Sequence, residues 1–391
     1  MRENYGGFGT ERQVAIYRER VLSQPSFVPI SPDRLEAEAA RVLTPATFDY
    51  VAGGAGGEAT IQANLAEFER WCLLPRSMTD VHERDTRVEL FGLPLPAPVL
   101  FAPVGALDLV RPDAELALAR ASAATGVPLV ASSLTTHPLE EIAMAAGGAK
   151  PWFQLYWGSD RDVNLSLVQR AEKAGYSALV VTVDTRLLGW RERDLERGFL
   201  PFLGGVGLGN YLGDPVFRSK LARPPEEDIA GAVLAAVGLL SDPSFVWSDL
   251  RFLSERTPLP LVVKGVLHPQ DAVAAIEAGA NGLIASNHGG RQVDGCIPAL
   301  RALPAVVAEA GEQIPVLFDS GIRRGADVAK ALAFGARAVL LGRPYVWGLA
   351  VDGERGAREV VENLLAEFDL TMALCGVTKA SEWSRKSIAE A

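Results

Sequence analysis

Eight short apolar runs recur between residues 98 and 341, and the stretches between them carry helical periodicity. The runs are Pro98–Ala102, Pro128–Ala131, Trp152–Tyr156, Ala178–Val183, Leu261–Lys264, Gly282–Ala285, Val316–Phe318 and Ala338–Leu341. Amphipathic stretches lie between them, among them 114–125, 139–146, 161–174, 269–278, 299–310 and 325–334. A run that is apolar without alternation is a strand covered on both faces, the mark of a parallel sheet. Eight such strands, each followed by a helix, predict a (β/α)8 barrel, the TIM-barrel class of α/β fold. An open doubly wound sheet needs a glycine fingerprint after its first strand. Ala102-Pro103-Val104-Gly105 stands there instead.

Three further regions follow from the same reading. Residues 1–97 form an N-terminal helical segment that packs on the barrel. A short helix is expected around 12–22. Others should start at Ser31-Pro32-Asp33 and Thr44-Pro45, each with an N-cap oxygen before a proline. Gly53, Gly54, Gly56 and Gly57 should stop the last of these. The barrel spans 98–377, and a C-terminal tail spans 378–391. Within the barrel, 192–247 is too long for an ordinary strand-to-helix connection and reads as a loop or lid over the catalytic face. The glycine cluster from Gly204 to Gly209 lies between no strand and helix, so it reads as flexible loop and not as a phosphate cradle.

Charge and cysteine content narrow the function classes. The net charge of −10 over 391 residues disfavours a nucleic-acid partner. Cys72, Cys296 and Cys375 are odd in number and far apart, which argues against a disulfide framework or a zinc site. No leader or membrane span is legible, so a reducing cytoplasm is the expected compartment.

In a barrel the strand ends converge on one site. Read in order, they supply Ala102, Pro103, Val104 and Gly105; Ser132; Gln154 and Tyr156; Thr182, Asp184 and Arg191; Lys264; Ser286 to Gln292; Asp319 to Arg324; and Gly342 with Arg343. Glycine and arginine after the last two strands suit a phosphate, through backbone N–H groups and bidentate bonds. Lys264 closes an apolar strand, and a buried ammonium needs a partner. It can pair with a carboxylate, form a Schiff base or stabilise charge on a cofactor, and the residues leave those three open. His288 lies between glycines and close to Arg291. That pairing suits proton abstraction from a substrate whose carboxylate the arginine holds. Asp184 can orient and stabilise the imidazolium.

Together these residues resemble the FMN-dependent α-hydroxy acid oxidising family. The likeness runs from Phe48-Asp49-Tyr50 to Glu367–Ala373, with Ser286-Asn287-His288-Gly289-Gly290-Arg291-Gln292 as its most specific stretch. Phe153-Gln154-Leu155-Tyr156, Thr182-Val183-Asp184-Thr185 and the run Asp319–Arg324 match too.

The resemblance implies FMN as cofactor and a small L-2-hydroxy acid and O2 as partners. Ala102, Pro103, Val104, Gly105, Ser132, Gln154, Thr182, Lys264 and Ser286 would then face the flavin. Asp319, Ser320, Gly321, Arg323, Gly342 and Arg343 would hold the ribityl chain and phosphate. Tyr50, Arg191 and Arg291 would bind the substrate carboxylate, Tyr156 its hydroxyl, and His288 would take the proton. It also implies a homo-oligomer, a tetramer or octamer. Within the family the likeness leans to the lactate 2-monooxygenases, through Tyr50-Val51-Ala52-Gly53-Gly54, Gly105, Asp214-Pro215-Val216-Phe217 and Gly342-Arg343-Pro344-Tyr345. That branch turns L-lactate and O2 into acetate, CO2 and water. The alternatives are an oxidase or dehydrogenase of the same family releasing the 2-keto acid, a phosphate-binding barrel without FMN, and a non-enzymatic FMN-binding scaffold.

Overall fold

A computed structural model describes residues 7–22 and 28–391. The eight runs are parallel strands: β1 (Val99–Phe101), β2 (Val130–Ser132), β3 (Trp152–Tyr156), β4 (Leu179–Thr182), β5 (Leu261–Val266), β6 (Gly282–Ala285), β7 (Val316–Phe318) and β8 (Val339–Leu341). From β2 to β8 each pairs with the next, and β8 pairs with β1. A single bridge, Phe101 to Leu129, closes the ring between β1 and β2, where Phe101 N donates to Pro128 O at 3.0 Å. The helices between strands agree with the amphipathic stretches to within a residue.

Successive side chains point to opposite faces of a strand, so the barrel has two apolar cores. Leu100, Val130, Trp152, Val180, Val262, Ile284, Leu317 and Leu340 fill the interior. Their neighbours, such as Phe101, Phe153, Val181 and Val263, pack outward against the helices. A hairpin of Val88–Leu90 and Leu93–Leu95 plugs the N-terminal end. Phe91 at its turn lies 5.5 Å from the Trp152 ring. The floor of the site is therefore apolar and closed from below, which strengthens any electrostatic contact above it.

The N-terminal segment forms α1 (Gly7–Val21), α2 (Pro32–Val42), α3 (Pro45–Ala52) and α4 (Ala59–Glu69). Residues 1–6 of the expected segment, and 23–27, lie outside the described residues. Thr44 caps α3 as expected, accepting from Thr47 N at 3.2 Å, and Gly53 ends it. Ser31 precedes α2, but its side chain makes no capping bond. Helix α1 lies on the long C-terminal helix Arg343–Cys375, with Gly9 N donating to Asp369 Oδ2 at 2.9 Å. The tail returns to the N-terminal segment: Ile388–Glu390 pairs antiparallel with Trp71–Leu73.

The interval after β4 is not bare loop. It folds into the short helices Glu192–Arg197, Gly209–Leu212, Pro215–Ser219 and Ile229–Leu239 with a 3-10 turn at Pro201–Gly204. Nor is the glycine cluster free. A Cβ on Gly209 would overlap the Thr136 carbonyl, and Gly209 N donates to Thr135 O at 2.8 Å. Glycine is needed there for close approach. Fully buried Asn210 completes the seam. It accepts from Leu139 N at 2.8 Å and donates to Ser133 O at 3.1 Å and to Thr135 Oγ1 at 2.8 Å. Asp214, equally buried, accepts from Ser166 Oγ and Arg170.

This seam fixes one end of the roof over the barrel mouth. Asn210→Ala strands a buried N–H and a buried carbonyl, each costing about 1–3 kcal/mol. It is expected to lower the unfolding free energy of the FMN-loaded protein by about 2–6 kcal/mol, read as a lower midpoint in urea equilibrium denaturation. An unchanged midpoint would mean that the seam contributes nothing.

Candidate active site

The strand ends open into one cavity. It is lined by Ala102, Pro103, Val104, Gly105, Tyr156, Lys264, His288, Arg291, Asp319, Ser320, Gly321, Arg323, Gly342 and Arg343, with Tyr50 from α3 and Arg191 from the roof. Four other predicted residues, Ser132, Gln154, Thr182 and Ser286, are buried beside it. They are bonded to their neighbours: Ser132 Oγ donates to Gln154 Oε1 at 3.0 Å, and Gln154 Nε2 to Thr182 Oγ1 at 3.0 Å. Register sets this up, because Ser132 pairs with Gln154 and Thr182 with Lys264 across adjacent strands. Gln154 keeps a second amide proton, and Thr182 its hydroxyl proton, for a partner on that floor.

Lys264 Nζ donates to Ser286 Oγ at 3.1 Å and pairs with Asp319 at 3.4 Å. Burial works against its charge, but Asp319 and Asp184 more than offset this and raise its pKa. Of the three roles its sequence position left open, the structure shows the pair with a carboxylate; a lysine held in its charged form does not suit a Schiff base, which needs the neutral amine.

His288 has φ +57, a left-handed backbone that lifts its ring from the strand end. Its Nδ1 faces Asp184 Oδ1 at 2.9 Å, and its Nε2 lies 3.4 Å from the Tyr156 hydroxyl on the cavity side. An Nδ1–H donated to the carboxylate leaves Nε2 with its lone pair free, the tautomer a base requires. Burial pulls the His288 pKa below its ordinary value, against the pull of Asp184. Burial would raise Asp184, but His288 and Lys264 outweigh it and hold the carboxyl at about 2. Burial pushes the Tyr156 hydroxyl to about 12, so it remains a donor.

Several residues to which the sequence reading gave no role hold this arrangement, and two of them, Gly265 and Asn64, it did not name. Gly265 has φ +107, at a register shift in β5, and a Cβ there would lie 2.7 Å from Asp184 Cγ. Thr185 Oγ1 donates to Asp184 Oδ1 at 2.9 Å. Gln292 accepts from Arg191 at 3.2 Å and donates to the carbonyls of Asp184 and Leu187. Asn287 and Asn64 exchange reciprocal amide bonds at 2.9 and 2.7 Å. Gly265 follows Lys264 at a strand end and Thr185 follows Asp184, so both had a positional signal; the partners of Gln292 and Asn64 are too distant in sequence to have one.

Arg291 sits 5.1 Å from the Tyr50 ring centroid and donates to Tyr50 O and Gly53 O at 2.6 and 2.7 Å. Arg343 donates to Val51 O, Gly53 O and Gly289 O. It therefore ties α3 to the His288 turn as well as lining the cavity. Burial lowers the pKa of Arg291, Arg323 and Arg343. Neighbouring arginines push Arg291 and Arg343 the same way. Such crowding of buried cations asks for anions. A phosphate at Arg323, Arg343 and the glycines, with the flavin over Lys264 and Ala102–Gly105, fits this demand.

Comparison with known proteins agrees. The profile of the family described as FMN-dependent dehydrogenase matches residues 39–390. An L-lactate oxidase from Lysinibacillus sphaericus (strain C3-41) is 43% identical over 360 residues, 92% of each chain. The 2-hydroxyacid oxidase 1 of Homo sapiens is 40% identical over 344 residues, 87% of this chain and 91% of that one. The solved structure of a soluble mutant of the membrane-associated (S)-mandelate dehydrogenase from Pseudomonas putida has a TM-score of 0.83 at 36% identity, covering 93% of this chain and 99% of that one. No described helix of the present chain is long and apolar enough to cross a membrane. The chain belongs to the FMN-dependent dehydrogenase family, and FMN is its cofactor.

Proposed function

We propose that this enzyme oxidises L-lactate with O2 as the final acceptor, within the FMN-dependent 2-hydroxy acid oxidation common to its relatives. The observation that carries the reading is the His288 ring, with Nδ1 locked on Asp184 and Nε2 turned to a cavity that Arg191 and Arg291 also line. FMN supplies the two-electron acceptor. Arg191 and Arg291 hold the substrate carboxylate beside Tyr50. Tyr156 donates to its hydroxyl, His288 Nε2 takes the proton, and Asp184 stabilises the resulting imidazolium. Lys264 keeps a positive charge at the floor.

The finer proposal concerns products. The roof residues Leu200, Phe202, Val237 and Leu240 and the side chain of Leu134 enclose the cavity beside Gly105. A keto acid retained there meets peroxide before either escapes. Lactate and O2 then yield acetate, CO2 and water, where early release yields pyruvate and hydrogen peroxide. A homo-oligomer belongs to the same proposal. Leu187, Leu188, Trp190 and Leu195, all more than half exposed in one stretch, suit cover by a neighbouring subunit.

Proton abstraction needs neutral His288, so flavin reduction should fall as pH drops through the His288 pKa. Burial places that pKa below the ordinary value of about 6.5. Stopped-flow reduction by L-lactate should therefore be flat at neutral pH, with its acid limb below about 6.5. His288→Gln should retain FMN and lose about two to four orders of magnitude in this rate. Wild-type reduction by that variant would assign the base elsewhere.

A Cβ on Gly105 would lie 3.0 Å from Leu134 Cβ and 3.2 Å from Leu134 O. Gly105→Ala must therefore shift Leu134 or crowd the bound product. A change of about 1.4 kcal/mol between competing barriers moves a partition tenfold. The expected result is a move from acetate and CO2 toward pyruvate and peroxide, read by product analysis after aerobic turnover of L-lactate. Stoichiometric peroxide from wild type would replace the coupled reading with a plain oxidase.

A further inference from the structure

Ser320, at the exit of β7, has φ +83 and is buried. A residue with a Cβ is strained there, and glycine is not. Gly321 follows with φ +101, so the turn itself calls for glycine. The serine hydroxyl offers a reason for its presence. It accepts from Gly289 N at 3.0 Å and Asn287 N at 3.3 Å, and donates to Asp319 Oδ1 at 2.8 Å. One proton and two lone pairs are thus all committed within the protein.

The two N–H donors flank His288, whose own N–H goes to Ser286 Oγ at 3.0 Å. Three successive backbone N–H groups of the left-handed turn therefore rest on two hydroxyls. Both hydroxyls are attached to the same ion pair, Ser286 through Lys264 and Ser320 through Asp319.

We propose that Ser320 is a positioning residue for the imidazole. It holds the His288 turn in its left-handed form and registers it against the Lys264–Asp319 pair at the flavin floor. The proposal rests on the reading of His288 as the proton acceptor. A hydroxyl that is already saturated has little left for the cofactor, so its loss should act on His288 rather than on FMN affinity.

Two variants separate this from a purely structural role. Ser320→Gly removes the hydroxyl and relieves the backbone, while Ser320→Ala removes the hydroxyl alone. Because Ser320 also lines the cavity, the FMN affinity of both is measured by quenching of flavin fluorescence, and the reduction rate is read on fully loaded enzyme. Displacement of a catalytic group by an ångström or less costs up to about a hundredfold. The limiting rate of flavin reduction should accordingly fall about ten- to a hundredfold in both variants, with KM near wild type because Arg191 and Arg291 are untouched.

In the FMN-loaded protein, amide hydrogen exchange across residues 287–291 should rise in both variants. The thermal midpoint of Ser320→Gly should be no lower than that of Ser320→Ala. A Ser320→Gly enzyme with wild-type reduction rate and unchanged exchange at 287–291 would overturn the proposal. If no 2-hydroxy acid reduces the wild-type flavin, the functional reading fails instead, and the exchange measurement still decides whether Ser320 holds the turn.

Discussion

Buried charge has to be matched, and in this barrel the protein alone does not match it. Arg191, Lys264, Arg291, Arg323 and Arg343 line the cavity; Asp319 pairs with Lys264 and Asp184 with His288, while Asp194, Glu36, Asp327 and Glu58 act on the arginines from farther off. Among the described residues none of the four arginines forms an ion pair with a carboxylate, so an excess of positive charge faces the cavity. A phosphate brings about two negative charges, and a substrate carboxylate brings one. The excess is divided in space accordingly: Arg323 and Arg343 at the exits of β7 and β8, Arg191 and Arg291 beside Tyr50 and His288. Burial lowers the pKa of Arg291, Arg323 and Arg343, and an anion bound beside them would offset that cost.

The same charges hold the architecture together. The carbonyl end of α3 carries the negative end of a helix dipole, and it is met by Arg291 on Tyr50 O and Gly53 O and by Arg343 on Val51 O and Gly53 O. Tyr50 thereby enters the cavity from outside the barrel. Arg343 also binds Gly289 O, so one guanidinium joins the exit of β8, the N-terminal segment and the His288 turn. Helix α3 and the barrel mouth thus share a single set of electrostatic contacts.

What was legible in the sequence follows from the range of the forces. Continuous apolar runs gave the eight strands, since burial on both faces is a property of each run by itself. Their ends moved by a residue or two, often at prolines. Pro98 and Pro128 lie just outside β1 and β2; lacking an N–H, they only accept, from Val339 N and Phe101 N. The roof was read as loop because its order comes from distant partners. Nothing in Gly204–Gly209 itself announces the Thr135 and Thr136 carbonyls, and nothing near Asn210 announces Ser133. The cluster of polar residues at the barrel mouth was legible for the opposite reason. Its residues sit at strand ends, where the fold alone makes them converge.

Convergence still leaves the geometry to be made, and backbone conformation makes it. Asp184 reaches His288 only because Gly265, in the neighbouring strand, has φ +107 and no Cβ to collide with the carboxylate. His288 turns its Nε2 toward the cavity only because its own φ is +57, and two hydroxyls receive the amides around it. Both departures from relaxed strand geometry lie within one shell of the reacting proton. Residues in sparsely populated conformations persist where the surroundings over-determine them. Here the surroundings are the Lys264–Asp319 pair, the Asn64–Asn287 amide exchange and the closed apolar floor. The parallel barrel thus supplies a rigid frame, and the strain it can hold goes into aiming one imidazole between a buried carboxylate and a pair of arginines.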